Sequence, residues 1–373
     1  MKCERLVNTQ LFLNGYREER SGESWRIHAD PLVVLVRADI IDPQVRMGLC
    51  VKLLSVYRRL AIFWDIPPQV RVEIHLEIDA EVLQSKTGLR IPHCIPNLSR
   101  VYLVPSSSLG HELSHIFAYS SNPHRDKLLD EGAATVMNQR DTRLFIDWQA
   151  SQDADDVDLY ALFASQAEYP QQSCQYIAGS FVAHVIRVWG RNAFLALFQT
   201  TRRNTDGIRS VLTVSWQELV REWRHYLKCV KLVAPQLKTI AARAKQIPDK
   251  DYVQELESID YIIGGRTELR ILQLQALLRL RDHDSASKIG RILLAAVDER
   301  SDSPATLAVL YDAMARLEHA RGRESIAHHY NLMAAQYRIP ASVDQLIQLV
   351  SERNHYPSVT TAPRYQEPQQ ETI

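Results

Sequence analysis

Two histidines four residues apart flank a glutamate in the stretch SSSLGHELSHIFAYSSNPHRDKLLDEGAATV, Ser106–Val136. They are His111 and His115, with Glu112 directly after the first. On an α-helix, residues four apart project from one face, one turn on. His111 and His115 then offer two imidazoles to one point, which makes two corners of a tetrahedral zinc site. Glu112 points toward the same pocket, where a general base for a metal-activated water must stand. A catalytic zinc also needs a third protein ligand and one open position.

The third ligand is sought nearby. A metzincin frame requires glycine at position 118 and histidine at 121, and the chain has Ala118 and Ser121. His124 lies in the loop SSNPH without a frame of its own, and Cys94 in PHCIPN lacks the flanks of a deformylase-type site. Glu131 fits best. Fifteen residues separate it from His115. That is room for the rest of one helix, a turn at Asn122–Pro123, and about two turns of a second helix that starts near Arg125.

The ordered set GHELSHIF, LLDEGAATV, QYIAGSFVAHVIRVWG and WQELVREWRHYL resembles the gluzincin metallopeptidases, in particular the bacterial peptidase MA-like group. Those enzymes carry HExxH, then a short (N/D)EG segment, a helix that ends in glycine, and a further Trp-bearing helix. The resemblance runs from about Trp25 to Leu227, with its sharp motifs between Gly110 and Gly190. It implies a zinc-dependent metallopeptidase in which His111, His115 and Glu131 bind Zn²⁺ and Glu112 is catalytic base and proton shuttle. Asp130 stands where the family often has asparagine. The short distance from HELSH to DEG is unlike thermolysin or the aminopeptidase-type gluzincins. The oxyanion donor is expected at Tyr176, the position that matches the family's helix. In enzymes that this chain resembles, the strand before the zinc helix lies at the sheet edge and pairs with an extended peptide. SRVYLV, Ser99–Val104, is the strand expected in that role.

Other polar residues have plainer readings. Tyr176, Ser180 and His184 form one stripe at successive fourth positions, opposite Ile177, Phe181, Val185 and Val188. His184 is two turns from Tyr176 and reads as an ordinary surface or core histidine. His75 and His328–His329 read as surface residues, Cys94 as a buried thiol, and Asp153–Asp158 as a solvated loop without a calcium-binding frame.

Several elements must position the site. WRIHADPLVVLVRAD, Trp25–Asp39, reads as one or two strands. VRVEIHLEI alternates with period two and reads as a strand with one wet face. Between them, Val45, Leu49, Leu53, Val56, Leu60 and Phe63 recur at helical spacing, with Lys52, Arg58 and Arg59 on the other side. Asp42–Pro43 is a helix start, and Pro67–Pro68 a stop. Gly190 is expected to end the QYIAGSF helix, and Ser215 with Glu218 forms a capping box.

The expected class is α+β: a small mixed sheet with the zinc-binding helix packed on it, a mostly helical subdomain, and an all-α, helical-repeat-like extension. The expected divisions are 1–109 for the sheet part of the peptidase domain and 110–230 for its helical zinc-binding part. Residues 250–352 are expected to form tetratricopeptide-like hairpins after the linker IPDKD, and 356–373 a disordered tail. RDHDSASKIGRIL and RGRESIAHHYNLM share a pattern at an offset of 40 residues.

Composition narrows the partners. With 44 basic and 44 acidic residues the net charge is zero, which gives no electrostatic reason to expect nucleic acid or an anionic membrane. The five scattered cysteines form no CxxC pair and read as reduced thiols. No signal-like or membrane-length apolar run occurs, so the expected compartment is the cytoplasm. The expected partner is a peptide or protein substrate, with a further protein partner for the C-terminal helices. A rival reading makes the chain a zinc-stabilised scaffold, closed by a fourth ligand such as His124 or Cys94.

Overall fold

A computed structural model describes residues 16–338 apart from 23, 38–41, 68–69, 105, 139–142, 154–156, 160, 163–170, 201–204 and 244–249. The proposed tail 356–373, residues 339–352, and parts of the acidic run and of IPDKD lie outside the described residues.

Six strands form one mixed sheet: β1 (Arg17–Ser21), β2 (Ser24–Ala29), β3 (Leu32–Arg37), β4 (Val72–Leu76), β5 (His93–Ile95) and β6 (Arg100–Leu103), in the order β1-β2-β3-β4-β6-β5. β1, β2 and β3 run antiparallel; β3–β4 and β4–β6 are parallel; β5 returns antiparallel to β6. The period-two segment VRVEIHLEI keeps its alternation only within β4; beyond the strand Glu77 is buried and Ile78 exposed, the reverse of the pattern. Val72, Ile74 and Leu76 are buried, while Glu73 and His75 on the other face are half-buried.

One expectation is corrected here. Ser99–Val104 does not provide the sheet edge, because β6 is paired on both sides, to β4 and to β5. Among the described residues the edge beside the helix that carries His111 and His115 is β5, three residues between Pro92 and Pro96. A strand that short shows no period in the sequence.

The parallel crossover from β3 to β4 is made by α1 (Pro43–Trp64), and α2 (Ala80–Thr87) follows β4. Asp42 caps α1 by accepting a hydrogen bond from the Gln44 N–H at 2.8 Å, with Pro43 in the first turn. The helix ends at Asp65, in the left-handed conformation (φ 54°), just before the prolines. All six apolar residues that mark its inner face are buried. The outer face is not all exposed: Arg59 is buried, and its guanidinium donates to the main-chain carbonyls of Glu299 and Asp302.

Eleven more helices follow among the described residues: α3 (His111–Ser121), α4 (Lys127–Met137), α5 (Arg143–Asp153), α6 (Gln171–Gln199), α7 (Thr205–Leu212), α8 (Trp216–Arg243), α9 (Lys250–Ile263), α10 (Thr267–Arg279), α11 (His283–Ala296), α12 (Pro304–Ala320) and α13 (Glu324–Tyr337). The described residues thus form an α+β structure with a helical C-terminal part. Gly190 (φ 85°) breaks α6 where the sequence marks a stop, and a second helical segment continues to Gln199. The capping box before α8 is made: Glu218 accepts from the Ser215 N–H at 2.7 Å, and Ser215 Oγ accepts from the Glu218 N–H at 3.2 Å. No helix among the described residues is long and apolar enough to cross a membrane.

One hydrophobic core runs from the sheet (Ile27, Val34, Val101) through α1, α3, α6 and α8 to Tyr252, Leu256, Ile259 and Leu269 of α9 and α10. A second cluster, with Leu274, Leu293, Leu310 and Met314, holds α10, α11 and α12 together. A buried polar network crosses the same junction. Asp147 on α5 accepts from Ser180 and Tyr226, each at 2.7 Å, and from the guanidinium of Arg266, at the start of α10.

Candidate metal centre

α3 is seated before it presents anything. Phe117 packs edge-on against Tyr57 of α1 (4.9 Å between ring centres), and Trp64 Nε1 donates to Ser114 Oγ at 3.3 Å. With Leu113, Ile116 and Phe117 in the core, His111 and His115 come to one flank, their rings 5.0 Å apart and nearly perpendicular. The chain then turns on Asn122. Its side-chain N–H donates to the Phe198 carbonyl at 2.8 Å, and its Oδ1 accepts from the His124 N–H at 3.0 Å. Asp126 caps α4 by accepting from the Leu128 and Leu129 N–H groups. Leu128, Leu129 and Ala133 are buried, which swings Glu131 back toward α3.

The three expected ligands meet. Glu131 Oε2 is 3.5 Å from His111 Nε2, and Oε1 is 3.8 Å from His115 Nε2. One ligand atom from each residue lies within 4.8 Å of the others. Tetrahedral bonds of about 2.1 Å set ligand atoms roughly 3.4 Å apart, so small side-chain adjustments suffice. Two imidazole nitrogens and one carboxylate oxygen are also the donor types that zinc takes in three-ligand sites. The residues fit the ion.

Asp130 has a role that the sequence did not disclose. Its Oδ1 is 2.8 Å from His115 Nδ1, and its Oδ2 accepts from Arg125 Nε at 2.5 Å. The ring of His115 is therefore held with Nε2 toward Glu131, an arrangement that fixes orientation and raises ligand basicity. Burial opposes a charge on His115, but the charge and hydrogen bond of Asp130, together with the charges of Glu131 and Glu112, push the imidazole pKa up to about 9. Burial pushes the Glu131 carboxyl up, yet the hydrogen bond from His111 and the charge of His115 hold it below the usual range. Glu112 goes the other way. Burial, reinforced by Glu131, raises it against the pull of His111 and His115. A carboxyl so placed holds a proton more readily than an exposed one.

Tyr176 lies on α6 with its ring edge-on to Phe145, 5.8 Å between centres. Its neighbour Gln175 reaches the candidate centre: Gln175 Nε2 is 3.5 Å from His111 Nε2. The cause is the packing of α4 on α6. A Cβ on Gly132 would stand 2.5 Å from the Ala178 carbonyl oxygen and 2.4 Å from Val182 Cγ2, so only glycine allows this approach. Gln175, one turn before Ala178, shares the packed face; Tyr176 is about 100° further round, toward α5. The rest of the expected polar stripe is buried elsewhere. Ser180 accepts from Trp223 Nε1 at 3.1 Å within the Asp147 network, and His184 Nδ1 is 2.8 Å from Arg187 Nη2.

Neither suggested fourth ligand joins the meeting point. Among the described residues the metal-competent group consists of His111, His115 and Glu131 alone. His124 is exposed. Cys94 sits on β5 opposite Val101, on the sheet face that bears α3. Burial and the nearby carboxylates of Glu112 and Asp130 push its thiol up. His75, expected at the surface, is half-buried and stacks on Tyr102 at 4.6 Å, whose ring also carries His93 at 5.0 Å. His328 and His329 are exposed.

No protein-family model matches the chain, and comparison with curated proteins gives no significant match. The reading of the site rests on its own residues.

Proposed function

We propose that the protein is a zinc-dependent metallopeptidase of the gluzincin type. The observation that carries this is the convergence of His111, His115 and Glu131 from two helices, with Glu112 in the first turn of α3. Zinc held by these three residues would polarise a substrate carbonyl and make water a nucleophile near neutral pH. Glu112 takes a proton from the attacking water, whose oxygen bonds to the carbonyl carbon. As the C–N bond breaks, Glu112 returns that proton to the leaving nitrogen. Asp130 holds His115 in the orientation this requires. The side of β5 that is unpaired among the described residues supports an extended peptide as substrate, since a strand added there gains main-chain hydrogen bonds beside α3 without regard to side chains.

A peptide-library digest read by mass spectrometry, with zinc content measured in parallel, tests the proposal. Wild type is expected to carry one zinc per chain and to cut. Glu112→Gln is expected to keep the zinc and lose turnover by about 10²–10⁴-fold. Wild type without zinc, or equal cutting by both proteins, would overturn it.

A further inference from the structure

We propose that Gln175 is the hydrogen-bond donor to the reacting carbonyl oxygen; this rests on the metallopeptidase reading above. The position is built from backbone. The contact of Gly132 with the Ala178 carbonyl sets the distance between α4 and α6, and Gln175 lies one turn before Ala178 on the packed face. Glu131 is the residue next to Gly132. The same close approach thus brings a ligand from one helix and an amide from the other to His111.

The chemistry follows from which atom the amide meets. Gln175 Nε2 is 3.5 Å from His111 Nε2, the nitrogen that faces Glu131. Once that nitrogen holds a metal, it has neither a lone pair nor a proton left to share with the amide. The amide N–H then stands beside the reacting group with a hydrogen bond to give. A substrate oxygen drawn to the same three residues would be an acceptor for it. Donors aimed at the place where negative charge develops contribute more to the transition state than to substrate binding. An amide suits the task because it does not titrate. It donates without competing for the proton that Glu112 carries. Tyr176, on the same turn, is packed against Phe145.

The test uses the full chain loaded with Zn²⁺ or Co²⁺, as wild type, Gln175→Met, Gln175→Ala and Tyr176→Phe. Gln175→Met keeps the length and helix preference of the side chain and removes the donor. Three quantities are read: zinc affinity by chelator competition, acetohydroxamate affinity from the visible spectrum of the Co²⁺ form, and kcat and KM on a peptide cut by wild type. Both Gln175 variants are expected to keep zinc affinity within about threefold and to bind acetohydroxamate about tenfold more weakly, the worth of one hydrogen bond. Their kcat should fall by about 10²–10³-fold with little change in KM. Gln175 variants that match wild type for acetohydroxamate and kcat overturn the assignment, as does a loss that falls on Tyr176→Phe and spares them. A wild-type protein that binds no metal or cuts no peptide overturns the metallopeptidase reading itself.

Discussion

Asp130 Oδ1 lies 2.8 Å from His115 Nδ1, while Nε2 of the same ring faces Glu131. One carboxylate thus orients the imidazole that its sequence neighbour would join in the proposed zinc site. Asp130→Ala removes the support and leaves Arg125 without its anion. Zinc affinity should weaken by about 10–100-fold. Asp130→Asn, which keeps an oxygen to accept from Nδ1–H, should lose less. Competition with a chromophoric chelator ranks the three proteins, and equal affinities would refute the orienting role.

Removing a ligand should remove the metal and its effect on stability. Excess zinc at 100 times its dissociation constant is expected to stabilise wild type by about 2.7 kcal/mol. His115→Ala and Glu131→Ala should show no zinc-dependent shift in urea unfolding. A shift that persists in both variants would place the metal elsewhere.

Gly132→Ala sets two effects against each other. Alanine improves helix propensity by about 1 kcal/mol. The added methyl, however, meets a backbone carbonyl at 2.5 Å, which no side-chain rotation relieves. Overpacking of that kind costs about 1–3 kcal/mol, so a net loss in urea stability is expected. Zinc affinity should fall with it, because α4 carries Glu131. A more stable variant with unchanged zinc affinity would contradict the packing argument.

The Asp147–Arg266 pair is buried at both ends, at 1% and 5% exposure. Arg266→Ala leaves a buried carboxylate held by Ser180 and Tyr226 but without its cation, and should cost about 3–5 kcal/mol. Asp147→Asn combined with Arg266→Met should recover much of that. A double-mutant cycle on urea midpoints measures the coupling, and a coupling near zero would dismiss the pair as an energetic link.

His184 gives a pH dependence remote from the metal centre. Burial and the Arg187 guanidinium lower its pKa to about 3. The unfolded chain takes up this proton near pH 6.5 and the folded chain does not until about pH 3. The contribution to stability is therefore complete above the unfolded value and is lost as pH falls toward the folded one. Between pH 7 and pH 5 the loss from this group is about 2 kcal/mol at most. His184→Gln should remove it, so the stability of wild type relative to the variant should drop over that interval. Parallel curves for the two proteins would show that His184 is not held neutral.

The fold class, α1 with its cap, and the α3–α4 hairpin were legible because each rests on local spacing: a period, a cap, a short turn. Glu131 was reachable for the same reason. β5 was not, since three residues between prolines carry no period. Gln175 carries no signal of its own in the sequence, and its place beside His111 depends on the contact of Gly132 with Ala178, on another helix. Arg59 stands on the polar side of α1 by pattern, and the turn at Glu299–Asp302 buries it all the same. Asp130 was visible as a residue, but its role depends on a ring orientation that spacing does not encode.

Arg266 reaches Asp147 from beyond the stretch that carries the site motifs. A chain cut after Arg243 would leave that carboxylate to Ser180 and Tyr226 with no counter-ion, and would lay bare the apolar surface that Tyr252, Leu256 and Ile259 cover. The half that carries His111, His115 and Glu131 thereby leans on the helices after it, a buttress on which its shape depends.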